Sequence, residues 1–310
     1  MIVKREVLCY NGVVAENAIQ KGEYPMLLTT NFILFHDELG LEKTIDVFAE
    51  AGFEGIEFNA DLTGYYDNTY DEAFYKRIGA YAAEKGVPIT QAHAPFPSSY
   101  PDDEARTAKR FEEIVTSMRH AAWLGAEMIV VHPCTHISCY SDPAQYEPMM
   151  AYNLDFYRRL APYAKEFGIK IAIENISRSV TTRAEGLLRL LNTLNDSETF
   201  TVCYDVGHAH CLGLGAAEMI LELGNVIGCT HIHDNNGKED GHTLPYYGTI
   251  DWDAVTKAFA EVGYTGNINY ESGVFVRRSP VELRLESAIY MAAIGKHLIA
   301  KINAYKEAKQ

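Results

Sequence analysis

The chain has 310 residues, of which 47% are hydrophobic and 22% charged, a length and composition that suit one large α/β domain. Its 42 acidic residues outnumber its 27 Lys and Arg residues, and the formal net charge of −15 disfavours duplex nucleic acid and anionic membranes as partners. The six cysteines include no CxxC pair, and the sequence has neither a signal-peptide core nor a membrane span, so we expect a soluble, cytoplasmic protein.

From residue 25 onward, short β-branched or apolar runs alternate with longer amphipathic stretches. The short runs predict strands, and the longer stretches predict helices with one apolar face. The predicted strands span residues 26–31, 55–59, 88–93, 128–132, 169–174, 200–205, 226–231 and 267–271.

Glycines mark the ends of the predicted helices. In residues 41–51 the apolar side chains of Leu41, Ile45 and Phe48 share one helical face, and Gly52 follows as a helix stop. The same order of helix, glycine and strand recurs at Gly86, Gly125, Gly168 and Gly263.

The spacing of the strands predicts a closed barrel. Successive strand ends lie 26 to 42 residues apart, which is enough for a loop, one helix and a return strand. Eight such units and a last helix at about 280–306 favour a single (β/α)8 TIM barrel over a doubly wound sheet. We therefore predict one domain over residues 1–310, with the barrel at 26–306 and an N-terminal extension at 1–24.

The last residues of six consecutive predicted strands are all potential metal ligands. In this fold the active site lies at the carboxyl ends of the strands, so these side chains are expected to meet there. From the third strand to the eighth they are His93, His132, Glu174, Asp205, His231 and Glu271.

Strand parity gives an independent reason to expect convergence. Counting back by two from Glu271, Asp205 and Glu174 gives the small or polar residues Asn269, Cys203 and Ala172, while bulky apolar residues occupy the alternate positions. The strand-end ligands therefore share the inward face.

Three carboxylates packed together would repel one another unless a cation lies between them. A set with mostly oxygen ligands and one imidazole suits Mn²⁺, Mg²⁺ or Co²⁺, and it suits Zn²⁺ if further histidines join. The loop residues His208, Asp240 and His242 would extend the cluster, with an ordinary polar loop as the alternative; for His233 both interpretations stay open. His120 is expected to be structural or solvated.

Several motifs resemble the xylose-isomerase-like barrel superfamily, and more narrowly its sugar phosphate isomerase/epimerase group. They are Ile-Thr-Gln-Ala-His-Ala-Pro, Ile-Ala-Ile-Glu-Asn, Tyr-Asp-Val-Gly-His, His-Ile-His-Asp-Asn and Gly-Thr-Ile-Asp-Trp, in this order along the chain. The resemblance extends over about residues 26–300.

The resemblance to the ketose 3-epimerase branch implies a metal site whose two glutamates also act as the acid/base pair. The matching positions are Glu174, Asp205, His231 and Glu271, and His208 matches a substrate-contacting histidine. That branch has a glutamate and an arginine where this chain has Val180 and Gly237, so a free-ketohexose 3-epimerase is not implied.

The apurinic-site endonuclease branch has a three-zinc site of nine ligands, and all nine positions are matched here. They are His93, His132, Glu174, Asp205, His208, His231, Asp240, His242 and Glu271. Many sugar-type relatives share this pattern. His93, His132, His208, Asp240 and His242 are therefore predicted either to bind substrate or to hold a second metal.

These features together predict a divalent-metal-dependent sugar isomerase or epimerase that acts on a ketose or sugar phosphate through an enediolate, with Glu174 and Glu271 moving the proton. The alternatives are an inosose-dehydratase-like lyase, a zinc endonuclease and a non-catalytic sugar-binding barrel. The expected partner is a small sugar, with no nucleic acid and no membrane, and homo-oligomerisation stays open. Candidates to cover an apolar sugar face are Phe96, Tyr65, Tyr66 and Trp252.

Overall fold

The computed structural model describes residues 26–32, 35, 39–62, 64–100, 103–135 and 142–309. The N-terminal extension predicted at residues 1–24 lies outside these ranges. None of the helices in the described ranges has both the length and the hydropathy that a transmembrane span requires.

Within the described ranges, eight parallel strands lie side by side in the order β7-β6-β5-β4-β3-β2-β1-β8. Their bounds are β1 Leu28–Asn31, β2 Gly55–Asn59, β3 Ile89–His93, β4 Met128–Val131, β5 Lys170–Glu174, β6 Phe200–Asp205, β7 Ile227–His231 and β8 Ile268–Tyr270. A parallel bridge between Ile232 and Tyr270 joins β7 to β8 and brings the ring close to closure. The predicted (β/α)8 barrel is confirmed.

Helices connect the strands and cover the outside of the barrel. They are α1 Leu41–Ala51, α2 Glu72–Glu84, α3 Glu104–Leu124, α4 Tyr146–Phe167, α5 Ala184–Leu194, α6 Val206–Cys211, α7 Ala216–Leu223, α8 Trp252–Glu261, α9 Gly273–Arg278 and α10 Arg284–Glu307. Gly52, Gly125 and Gly168 adopt the left-handed conformation directly after α1, α3 and α4, as predicted.

The barrel has two cores, one on each side of the strands. Inside it, Val130, Ala172, Cys203 and Cys229 pack together. The alternate residues of the same strands, such as Ile173 and Tyr204, join the larger core between strands and helices. The predicted inward and outward parity is therefore confirmed, and the described cysteines are free.

Two strands end one residue earlier than predicted. β4 ends at Val131 and β8 at Tyr270, so His132 and Glu271 are the first residues of the following loops. Pro133 directly follows His132 and has no N–H to continue a strand ladder.

Candidate metal centre

The carboxyl ends of β5 to β8 bring three carboxylates around one imidazole nitrogen. His231 Nδ1 lies 3.3 Å from Glu174 Oε1, 3.5 Å from Glu271 Oε2 and 4.0 Å from Asp205 Oδ2. Glu174, Asp205 and His231 are almost wholly buried, whereas the Glu271 side chain is 22% exposed. The four residues predicted as metal ligands therefore share one small volume.

Glu174 also connects this group to the histidines of β3 and β4. Its Oε2 lies 2.9 Å from His132 Nε2 and 3.7 Å from His93 Nε2. Despite the short contact with His132, Glu174 Oε2 makes no hydrogen bond of normal geometry with any described residue. Glu174 Oε2 and His132 Nε2 are therefore close together without a hydrogen bond between them. Two ligands of one metal ion have this arrangement.

The three residues predicted in loops form a second group beside the first, although His208 lies on α6 and only Asp240 and His242 lie in a loop. Asp240 Oδ2 lies 3.1 Å from His242 Nε2 and 3.3 Å from His208 Nε2, and His208 Nδ1 lies 3.3 Å from Glu174 Oε1. All nine strand-end and loop residues predicted at the site therefore lie in one connected cluster. In several subsets of three, the candidate ligand atoms all lie within 4.8 Å of one another.

Asp234 holds the loop that carries Asp240 and His242. Its carboxylate accepts hydrogen bonds from Trp252 Nε1 at 2.8 Å and from the backbone nitrogens of Tyr246 and Ile250. The buried carboxylate thus ties the start of the loop to three residues at its end. This fixes the backbone on which the second group stands.

Glu57, in the middle of β2, belongs to the site and was missed by sequence reasoning. It is fully buried, and its Oε2 lies 2.8 Å from His231 Nε2. Gln91 donates to the same oxygen at 2.5 Å. A proton on His231 Nε2 is therefore bonded to Glu57, which leaves Nδ1 free to face the three carboxylates. The available signal was an acidic residue at an inward position of an apolar strand.

His233 is buried against this cluster, and the sequence had left its role open. Its Nε2 lies 3.1 Å from Asp205 Oδ1, and its ring stacks on His242 at 4.1 Å between centroids. The ring occupies space where a side chain at position 207 would stand, since an added Cβ on Gly207 would lie 1.9 Å from His233 Cε1. The Tyr-Asp-Val-Gly-His motif thus makes room for a residue that contacts Asp205.

The histidines keep the buried carboxylates ionised. Burial raises the pKa of Glu174, but the charges of His231 and His132 outweigh it and hold that pKa well below its usual range. Burial also raises the pKa of Asp205, and the charges of His208 and His233 reverse the shift. The carboxylates therefore remain negative, as metal ligands must be.

The reciprocal effect raises the pKa of the histidines. Burial lowers the pKa of His93, but the nearby carboxylates of Glu174 and Glu57 raise it to about 9. Asp240 and Glu271 likewise overcome burial and raise the pKa of His242 to about 9. Protonated imidazoles thus balance the carboxylates, and a divalent cation would supply the same positive charge. The donor set fits such a cation.

A cavity of about 260 Å³ opens beside the cluster, with Phe96, Glu271, His93 and His242 among its lining residues. Phe96 stacks on His132 at 4.9 Å and is the one of the four predicted aromatic covers that lines the cavity. Trp252 is instead buried, with its indole nitrogen bonded to Asp234, and Tyr65 packs against Phe58 in the outer core. Tyr66 lies near Arg110, away from this cavity.

The comparisons with known proteins agree with this architecture. The pattern of the family described as xylose isomerase-like TIM barrel matches residues 45–289. The uncharacterized protein y4fM of Sinorhizobium fredii is 31% identical over 299 residues, which cover 83% of this chain and 92% of the relative. The probable endonuclease 4 of Staphylococcus saprophyticus is 24% identical over 246 residues, covering 71% of this chain and 80% of the relative.

A solved structure with the same fold is the crystal structure of a D-tagatose 3-epimerase-like protein. It matches with a TM-score of 0.72 at 25% identity and covers 90% of this chain and 99% of its own. The family pattern extends over β2 to β8 and includes every predicted strand-end ligand from His93 to Glu271. The chain therefore belongs to the xylose isomerase-like TIM barrel family.

Proposed function

We propose that this protein is a divalent-metal-dependent sugar isomerase or epimerase. One observation carries the proposal: the carboxylates of Glu174 and Glu271 meet at His231 Nδ1, and Glu271 also lines an open cavity. The similarity to a D-tagatose 3-epimerase-like protein supports the same class of reaction.

Glu174, Asp205, His231 and Glu271 would hold the cation, which is Mn²⁺, Mg²⁺, Co²⁺ or Zn²⁺ by the chemistry of these donors. When bound, the cation polarises a ketose carbonyl and its neighbouring hydroxyl, so that the adjacent C–H becomes acidic enough to ionise.

Glu271 and Glu174 are the proton-transfer pair in this proposal. Glu271 is partly exposed and faces the cavity, so its carboxylate would remove the proton from the carbon beside the carbonyl. Glu174 is buried, with its Oε1 3.3 Å from both His208 Nδ1 and His231 Nδ1, and would return the proton to the substrate. His93 and His242 line the cavity and would bind sugar hydroxyl groups.

The two departures from the ketose 3-epimerase pattern limit the proposal to the broader class. Val180 is 1% exposed and packs in the outer core, and Gly237 adopts a left-handed backbone near His210. Neither position supplies a charged group. The substrate is therefore proposed as a sugar with a carbonyl group, without assignment to a free ketohexose.

The test is proton exchange in heavy water. Protein stripped with a chelator and reloaded with each of the four metals is mixed with a ketose panel, and NMR follows loss of the C–H beside the carbonyl. We expect exchange with metal and none without it. Exchange unaffected by the chelator would contradict the proposal, and a product that has lost water would identify a lyase instead.

A second function is favoured by one observation: all nine positions of the endonuclease pattern lie in the cluster, and a probable endonuclease 4 is among the relatives. The net charge of −15 opposes tight binding of a DNA backbone. Incision of a duplex with one abasic site, compared with a metal-only blank at physiological salt, decides between the two. Incision without any sugar exchange would establish the endonuclease.

A further inference from the structure

The cavity has a wall that the metal centre does not use. It is formed where β1 and β2 end, by Asn31, Asn59 and Asp61. These side chains stand on the same ring of strand ends as the ligands, and none of them belongs to the proposed ligand set. Any binding role of these side chains must therefore lie in contacts with a molecule inside the cavity.

Two oxygen atoms in this wall lack hydrogen-bond partners. Asn31 is 4% exposed, and its Oδ1 has no partner within the described part of the chain; the same holds for the buried Oδ1 of Asp61. A buried acceptor without a donor costs free energy that folded proteins rarely leave uncompensated. Asn59 differs, because its Oδ1 already accepts from the backbone nitrogen of Phe32 at 3.1 Å.

The missing partners must be donors. Sugar hydroxyl groups are donors, whereas a phosphate group presents mainly acceptor oxygens and a negative charge. The cationic histidines of the cavity already face carboxylates, His93 that of Glu174 and His242 that of Asp240. Asp61 is paired with neither histidine and would repel a phosphate. Arg277 also lines it, but this side chain is exposed and its charge is screened by solvent.

We propose that Asn31 and Asp61 form a hydroxyl-binding subsite, and that the substrate is an unphosphorylated sugar whose hydroxyl groups donate to these two side chains. This inference rests on the proposed function. Both residues determine specificity in this proposal, because two hydrogen-bond acceptors favour a sugar hydroxyl group over a phosphate group at this end of the cavity. The metal centre then faces the carbonyl end of the same sugar.

The experiment uses full-length, metal-loaded protein and matched probes: D-fructose, D-tagatose and D-psicose, and the 6-phosphate of each. Binding is measured by calorimetry and by NMR of the sugar. We expect at least one neutral sugar to bind at least tenfold more tightly than its phosphate. Asp61→Asn should weaken the neutral sugar about tenfold and should reduce the discrimination against the phosphate.

Asn31→Leu removes the other acceptor and should also weaken the neutral sugar about tenfold. Arg278→Gln is the matched control, because Arg278 is an exposed residue on α9 that does not line the cavity. Circular dichroism and thermal unfolding check that each variant is folded. Asp61→Asn alone tests the subsite if Asn31→Leu does not fold, since it keeps the shape of the side chain.

The inference is overturned if a phosphate binds as tightly as its neutral partner, if no neutral sugar binds, or if Asp61→Asn leaves its affinity unchanged. Failure of the proposed function gives a different result. In that case a neutral sugar binds and depends on Asp61, but no metal supports exchange of its C–H.

Discussion

The two sides of the barrel mouth are built from different chemistry. From β3 to β8, every strand ends in, or is directly followed by, an ionisable side chain. The two remaining strands end in amides, Asn31 on β1 and Asn59 on β2. The ionisable side contains carboxylates that need positive charge nearby, whereas the amide side combines two neutral amides with the carboxylate of Asp61 in the wall of the cavity.

This difference separates two tasks that one cavity must perform. Buried carboxylates around His231 are stable only with protonated imidazoles or a cation beside them. An amide carries no charge, so Asn31 can contact a neutral sugar without altering the electrostatics of the candidate metal centre, and Asp61 adds an acceptor that disfavours anions. A ring of parallel strands holds both sides at fixed positions. We therefore expect substitutions on the ionisable side to change the rate of the reaction, and substitutions on the amide side to change the affinity for the sugar.

The largest effect is expected on the ionisable side, from Glu271→Gln. The substitution removes both a proposed ligand and the base that faces the cavity, and loss of a general base costs about 10²- to 10⁴-fold in rate. Deuterium exchange into the sugar should fall by that amount, while circular dichroism stays unchanged. The matched control is Glu282→Gln, an exposed residue outside the cavity, which should keep full exchange. Equal loss in both variants would contradict the assigned role.

The next largest effect is expected for Glu57→Gln, which tests whether the hydrogen bond to His231 prepares Nδ1 for an ion. Substitution of such a supporting group lowers metal affinity by about 10- to 100-fold. The measurement is competition for the metal with a chromophoric chelator. Because it needs no substrate, it is independent of the sugar.

The control for that prediction is Glu54→Gln, in the turn before β2. Glu54 accepts a hydrogen bond from the backbone nitrogen of Leu28 at 3.0 Å, and it stands at the opposite end of the barrel from the metal centre. A glutamine there keeps an acceptor and should leave metal affinity unchanged. If Glu57→Gln also leaves it unchanged, Glu57 does not position His231.

A moderate effect on stability is expected from Gly207→Ala. The new Cβ would lie 1.9 Å from His233 Cε1 and 2.3 Å from Nδ1, so the ring must leave its contact with Asp205. Overpacking of this kind costs about 1 to 3 kcal/mol of unfolding free energy, measured by urea titration. Gly241→Ala is the control, because the nearest atom to its new Cβ is 3.5 Å away.

The same substitution bears on the metal centre. Moving His233 breaks the 3.1 Å contact of its Nε2 with Asp205 Oδ1, which holds that carboxylate in place, so the metal affinity of Gly207→Ala should fall with its stability. A variant that is destabilised but binds metal normally would show that His233 fills space without supporting Asp205.

The ionisable side of the mouth was predictable from the sequence because side chains alternate between the two faces of a strand, so that every second residue points the same way. Once the strand ends were located, parity alone placed Glu174, Asp205 and Glu271 on one face, and the structure brings their carboxylates together. The loop residues Asp240 and His242 followed from their place after a strand-end histidine. For these residues the local sequence pattern was sufficient to predict a place in the site.

The residues that were missed depend on contacts distant in the chain. Glu57 is defined by a partner 174 positions away, and nothing in β2 itself shows that His231 lies across the barrel. The sequence did not single out Asn31 and Asn59 as site residues, because an amide side chain at the end of a strand commonly only hydrogen-bonds to nearby backbone groups. Trp252 was wrongly considered as a sugar cover, because its bond to Asp234 forms only when the long loop folds back.

The smallest effect is expected away from the mouth, at His120, which the structure shows to be 1% exposed and stacked on Tyr75 at 4.1 Å. Burial lowers its pKa below the ordinary value of 6.5, although a hydrogen bond to the Tyr65 carbonyl opposes the shift. Near and below that value the unfolded chain binds more protons than the folded one. The stability that neutral His120 contributes is therefore present above pH 6.5 and is lost as the pH falls toward its folded pKa.

His120→Gln keeps a donor for the Tyr65 carbonyl, which lies 3.0 Å from His120 Nδ1, and removes the titration. Urea unfolding at pH 7.5 and 5.5 should show a smaller loss of stability for the variant than for the natural chain. The histidines of the candidate metal centre are the same in both proteins, so their contribution cancels in this difference. An identical loss in the two proteins would mean that His120 accepts a proton in its buried position, and burial would then not control its pKa.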